Sequence, residues 1–213
     1  MPSILQATNR FVADLLRRLA IGNVAGTFGL LLIDRGHGLL YDVERDITWL
    51  QDANYAKTVK RTADGQLTWH DAMAWVQRLN YRGIVGWRLP SALNSDGSGP
   101  CEGENCRDSE IGHLFFVASK RMSPPDLSLK NFEPFSIYWF STEASETLAF
   151  AFKMAGMKQG KLEKNPWMLD GLSIPLADQV LAWPVHDGDV GAGIVARLLR
   201  AMLELFRFSR RSG

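Results

Sequence analysis

Two cysteines, Cys101 and Cys106, are all that 213 residues hold, so neither a disulfide framework nor an all-cysteine zinc site can be built from this chain. Charge of one sign is missing as well. Twenty-four Lys and Arg stand against 23 Asp and Glu, and the formal charge of +1 gives no overall field to gather nucleic acid or an anionic membrane. A confident membrane span is absent, because the apolar run from Leu19 to Ile33 is short and is diluted by Gly22, Asn23, Gly26 and Gly29. The four histidines, His37, His70, His113 and His186, sit in unrelated contexts without a strained nucleophile turn, which disfavours a hydrolase. No internal repeat or low-complexity segment is present.

The two cysteines that do occur lie five residues apart in Gly-Pro-Cys-Glu-Gly-Glu-Asn-Cys-Arg, a loop of small and polar residues. A short-loop disulfide is the preferred reading, ahead of a metal pair, with two free thiols as the third option. A disulfide implies an oxidising compartment. Arg17-Arg18 before the apolar run has the order of a degenerate export signal, although no clean cleavage site precedes Asp34. An extracytoplasmic location is therefore expected.

What the chain has in quantity is tryptophan: Trp49, Trp69, Trp75, Trp87, Trp139, Trp167 and Trp183. An indole buries a large apolar area and asks for an acceptor for its N–H, so a rigid mixed core follows. Gly38 to Val43 and Asp46 to Leu50 read as two strands around a Glu44-Arg45 turn. Thr68 caps a helix to Asn80, with Trp69, Ala72, Met73, Val76 and Leu79 at helical steps. A loop over Ser91 to Arg107 follows, and Ser109 caps a second helix, Glu110 to Lys120, closed by Pro124-Pro125. Ile137 to Thr142 and Leu148 to Met154 are aromatic-rich strands; Gly156 to Lys164 is expected as a turn-bearing connection, and Val180 to Val185 as the last strand. At both ends, residues 4–20 and residues 194–206 carry apolar stripes at helical spacing. The C-terminal stripe is flanked by Arg197, Arg200, Arg207, Arg210 and Arg211, so it suits either packing or an anionic membrane surface.

Ile33-Asp34-Arg35-Gly36, Ile47 to Ala56, Leu67-Thr68-Trp69, Gly86-Trp87-Arg88-Leu89-Pro90, Tyr138 to Glu143 and Ala182-Trp183-Pro184-Val185, taken in order, resemble the Lcl C-terminal domain family. This is a bacterial domain family of unknown function named after a collagen-like adhesin. The resemblance covers about residues 33–187. It implies an α+β domain of the C-type-lectin-like kind, with small twisted antiparallel sheets, two flanking helices and paired N- and C-terminal strands. It also implies an envelope setting and binding of glycans, sulfated ones for the adhesin, rather than catalysis. The chain departs from the family at Gly83-Ile84-Val85-Gly86, where polar residues are usual, and it lacks the collagen-like stalk, which leaves homo-oligomerisation open. The Glu-Pro-Asn type of sugar-binding motif is missing, so calcium-dependent sugar binding is disfavoured.

The expected organisation is therefore an extension over 1–32, the domain over 33–187 and a basic amphipathic helix over 188–213. Arg88 is expected in a structural pair with Glu110, inside a scaffold that includes Trp87, Pro90, Trp49, Trp139 and Trp183. Lys153, Lys158, Lys161 and Lys164, with Trp167 as an exposed ring, are the leading contacts for a sulfated or phosphorylated ligand. No catalytic residue, metal or cofactor is assigned: calcium at Asp187 with Asp189, or at Asp96 with Glu102 and Glu104, matches no known calcium loop. The leading function is a non-catalytic module for glycans or other polyanions. The alternative is a membrane-surface or self-assembling protein acting through its terminal helices, and an enzyme on the fold shared with formylglycine-generating enzymes is disfavoured.

Overall fold

The computed structural model describes residues 32–117, 129–166, 168–169, 172–173 and 179–191, all in the same one of the chain's two units. The expected helical stripes over 4–20 and 194–206, and Trp167, lie outside the described residues. In chain order the elements are β1 (Leu32–Gly36), β2 (Leu39–Asp42), β3 (Ile47–Leu50), α1 (Tyr55–Thr58), α2 (Trp69–Gln77), β4 (Gly103–Glu104), α3 (Glu110–Phe116), β5 (Ile137–Glu143), β6 (Leu148–Lys153), β7 (Lys158–Glu163), β8 (Met168–Leu169), β9 (Leu172–Ser173), β10 (Val180–Leu181) and β11 (Val185–Asp187). The class is α+β, with few helices and mostly antiparallel sheets.

The first sheet runs β1-β2-β3-β11, antiparallel throughout. His37 and Gly38, at φ of 57° and 80°, form the two-residue turn whose handedness matches strand twist. Asp42 closes the next turn by accepting the N–H groups of Glu44 and Arg45 on Oδ1 at 3.1 Å each. The second sheet runs β10-β5-β6-β7-β4, antiparallel except for the parallel β10–β5 pair, and β8–β9 form a separate small ribbon.

Strand alternation splits the core in two. Trp139, Ala149, Ala151, Val180 and Ala182 face one cluster with Trp69, Ala72 and Trp75 of α2. Their neighbours Tyr138, Phe140, Phe150, Phe152, Leu181 and Trp183 face the other, with Ile111 and Leu114 of α3. The second sheet is thus apolar on both sides, with one helix over each. Four indoles find backbone acceptors: Trp69 donates to the Phe140 carbonyl (2.8 Å), Trp87 to Ile84 (3.0 Å), Trp139 to Leu67 (2.8 Å) and Trp183 to Leu50 (2.7 Å). Trp49, whose ring centroid is 5.0 Å from that of Trp183, is buried with its Nε1 unpartnered.

Both long helices start where their caps lie. The Thr68 hydroxyl accepts the N–H of Asp71 at 3.1 Å and Ser109 that of Gly112 at 3.2 Å, each cap worth about 1 kcal/mol. The first ends at Gln77 rather than Asn80, because the backbone tightens at its C-terminus: Arg78 N–H donates to the Trp75 carbonyl and Leu79 N–H to the Val76 carbonyl, each at 3.1 Å, three residues back instead of four.

Two expectations are corrected. The segment read as a turn-bearing connection is strand β7 from Lys158 to Glu163; only residues 154–157 turn, and full pairing with β6 overrides a sequence poor in β-branched residues. The expected last strand over Val180 to Val185 is two strands in different sheets. The chain crosses at Ala182-Trp183-Pro184, where proline offers no N–H for a ladder, and only its carbonyl is used, by Leu50 at 3.1 Å.

Candidate functional site

A cleft of about 380 Å³ opens where the β2–β3 turn, the long loop and α3 meet, lined by Glu44, Arg45, Ser95, Arg107, Asp108, His113 and Val117. Its floor is His113, buried on α3. Nδ1 lies 2.9 Å from Oδ2 of Asp42, itself fully buried, and Nε2 lies 3.0 Å from Oε2 of Glu44. Burial pulls the imidazole pKa down, but the Asp42 hydrogen bond and charge, joined by Glu44, outweigh it and hold the ring above its ordinary value. Each ring nitrogen faces a carboxylate oxygen, an arrangement that the doubly protonated ring satisfies by donating from both. In that form neither nitrogen has a lone pair free for a proton or a metal.

The rim mixes signs. Arg45, 8 % exposed, donates through Nη2 to the Asp108 carbonyl at 2.8 Å and to the Asp108 carboxylate. Ser95 donates its N–H and hydroxyl to the other Asp108 oxygen at 3.3 and 3.2 Å. Partial burial pushes the Asp108 carboxyl up, yet Arg45 and Ser95 together hold it below the usual carboxylate range. Arg107 differs from these. Its guanidinium carbon lies 5.3 Å from the Phe116 ring centroid, and it meets no carboxylate among the described residues. It is exposed and lines the cleft.

The lysines singled out from sequence divide. Lys164 is buried: Nζ donates to the Glu143 carboxylate and, at 2.8 Å, to the Glu146 carbonyl, and it sits 4.7 Å from the Trp69 ring centroid. It belongs to the scaffold and not to an exposed strip. Lys153 and Lys158 face each other across β6 and β7. Lys158 pairs with Glu104 at 2.9 Å and Lys161 with Glu102 at 2.6 Å, all four side chains about half exposed. Both glutamates come from the loop closed by Cys101 and Cys106, which form a disulfide.

The Gly86 to Pro90 corner is a joint. Gly86 has φ of 89°, and a Cβ there would meet His186 Nε2 at 3.3 Å. Arg88 exchanges both backbone hydrogen bonds with Val185 at 2.9 Å, and the Pro90 carbonyl accepts Ser141 N–H at 2.7 Å. The Arg88 guanidinium grips Glu110 with two bonds of 2.8 and 2.7 Å, and also reaches Asp187, which sequence reasoning did not place there. Trp87 is buried beneath it, and Trp49, Trp139 and Trp183 are fully buried.

Sequence reasoning missed the Asp42–His113–Glu44 set and Arg45. The only local signal was His113 on the apolar run Ile111-Gly112-His113-Leu114, a setting that demands charged or hydrogen-bonding partners without naming them. Among the described residues no cluster of His, Cys, Asp and Glu is placed to hold a metal ion, and no helix is long and apolar enough to cross a membrane. No family model, curated protein or solved structure matches the chain.

Proposed function

We propose that this is a non-catalytic ligand-binding domain of C-type-lectin-like kind, acting outside the cytoplasm, whose cleft takes an acidic sugar of a glycan. The observation that carries the reading is the mixed-sign cleft with Arg107, which meets no carboxylate among the described residues. A carboxylate or sulfate would accept from the Arg107 fork, while sugar hydroxyls donate to Glu44 and Asp108. The pairing of β11 with β3 supports the fold assignment, and the Cys101–Cys106 bond supports an oxidising compartment. Lys153, Lys158 and Lys161 would extend contact along a longer chain.

The test is titration of the protein with a sulfated, uronate-containing disaccharide, followed by heteronuclear NMR. Shifts are expected at Ser95, Arg107 and Val117, and Arg107→Glu should weaken binding by about tenfold or more at ~0.15 M salt. Absence of shifts at the cleft, or equal binding by the variant, rejects the reading.

A further inference from the structure

We infer that the surface carried by residues 55–61 and 78–85 is a docking face for an anionic phospholipid bilayer, on which the domain lies with its cleft held away from the membrane. The face uses no residue of the cleft and does not depend on what the cleft binds.

The two stretches contain Lys57, Lys60, Arg61, Arg78 and Arg82 and no Asp or Glu. All five cations are exposed, and none is paired with a carboxylate among the described residues. Ring contacts bring the stretches together. Tyr55 and Tyr81 meet edge to face with centroids 5.3 Å apart, and the Arg82 guanidinium carbon lies 5.9 Å from the Tyr81 ring centroid. Beneath them Ala56 packs in one core cluster with Val76, Leu79 and Ile84. Two acids border the face, and both are engaged: Asp52 accepts from the Thr58 hydroxyl at 2.6 Å and from the Asn131 amide, and Asp64 accepts from Gln66. Five cations less these two acids still leave a net charge of +3.

Apolar exposure singles out the occupant. Among the described residues only four large hydrophobic side chains are exposed, and two of them are here, Val59 at 44 % and Val85 at 62 %, one in each stretch. A bilayer uses both features, since valine can enter below the headgroups while Lys and Arg lay their stems along the apolar region and reach the phosphates. A soluble polyanion would take the cations and leave the valines wet. A second copy of the chain, docked about a two-fold axis, would set like charges against like.

The position in the fold suits this use. The Tyr81 hydroxyl donates to the His37 carbonyl at 2.7 Å, just before β2 begins, whereas the cleft is lined by Glu44 and Arg45, just past its end. At the rise of an extended chain the two ends are roughly 20 Å apart, so a domain lying on this face keeps the cleft clear of the headgroups.

The experiment is flotation of the whole chain with vesicles of equal parts phosphatidylglycerol and phosphatidylcholine, and with phosphatidylcholine alone, at ~0.15 M salt. Wild type should float with the anionic vesicles and not with the neutral ones. Lys57→Glu with Arg61→Glu and Arg78→Glu should weaken binding by about tenfold or more. Val59→Ser with Val85→Ser should weaken it about threefold. All five positions are exposed and should leave the circular dichroism spectrum unchanged, and none lines the cleft, so binding of the uronate disaccharide should be unchanged too. Arg197→Glu with Arg200→Glu, in the basic C-terminal stripe, should keep most of the flotation. Equal flotation on both vesicles, an unaffected triple glutamate variant, or complete loss in the C-terminal variant overturns the docking face and leaves the cleft reading in place. Loss in the triple variant with none in the serine variant marks a site for soluble polyanions and overturns the assignment to a bilayer.

Discussion

Replacing Arg88 by alanine should loosen the joint between three separate stretches of chain. The guanidinium makes two bonds to Glu110, two to Asp187 Oδ1 at 2.9 and 2.6 Å, and one to the Leu89 carbonyl at 3.0 Å. Asp187 is 76 % exposed, so that pair contributes at most about 1 kcal/mol. Glu110 is only 13 % exposed and decides the cost. Removing one partner of a fully buried pair costs about 3–5 kcal/mol, but Arg88 is 30 % exposed and Glu110 keeps the Ser91 N–H at 2.7 Å. The expected destabilisation is therefore about 2–3 kcal/mol, or a Tm lowered by roughly 5–10 °C for a domain of this size. The assay is thermal unfolding of wild type, Arg88→Ala, Glu110→Gln and the double variant at one pH and salt. A coupling of about 1–2 kcal/mol between the two positions is expected. A single-variant Tm within 1–2 °C of wild type, or strict additivity, refutes the assignment of this pair as a structural joint.

The His113 bridge should make stability fall with alkalinity. Its folded pKa lies above the ordinary value of 6.5, so its contribution is fully present below that value and is lost as pH rises through the folded one. The Tm gap between wild type and His113→Gln should narrow steadily from pH 6 towards pH 9, and a gap that widens would contradict the doubly bonded imidazolium. Trp183→Phe should cost about 1 kcal/mol more than Trp49→Phe although both rings are fully buried, since only Trp183 donates to a carbonyl; chemical denaturation of the pair measures it, and equal losses would be the contrary result. Gly112→Ala should lower stability by about 1–3 kcal/mol, because its Cβ would overlap the Cys106 carbonyl oxygen and backbone cannot yield cheaply. An unchanged denaturation midpoint would show that α3 can shift away.

Much of the scaffold was legible locally. Thr68 and Ser109 announce their helices because a cap hydroxyl acts within three residues, and the apolar steps of α2 follow a 3.6-residue period. The Glu44-Arg45 turn and the aromatic strands β5 and β6 were readable for the same reason. The Arg88–Glu110 grip was reachable because a guanidinium beside Trp87 and Pro90 needs a carboxylate, and Glu110 opens the next helix. β7 was not legible: Lys-Gln-Gly-Lys-Leu-Glu has weak strand preference and becomes a strand through its ladder to β6.

The sequence by itself determined the helix starts, the aromatic core and the presence of two bridgeable cysteines, because each rests on interactions among near neighbours or on residue type alone. Only the tertiary structure decided which charges meet. His113 finds Asp42 71 residues away, Arg88 finds Asp187 99 residues away, and Lys158 and Lys161 are covered by glutamates from a loop more than fifty residues earlier. Side-chain electrostatics acts over a few ångströms in space whatever the separation along the chain, so the order of strands in the sheets, and not the order of residues, set the chemistry of both the cleft and the lysine face.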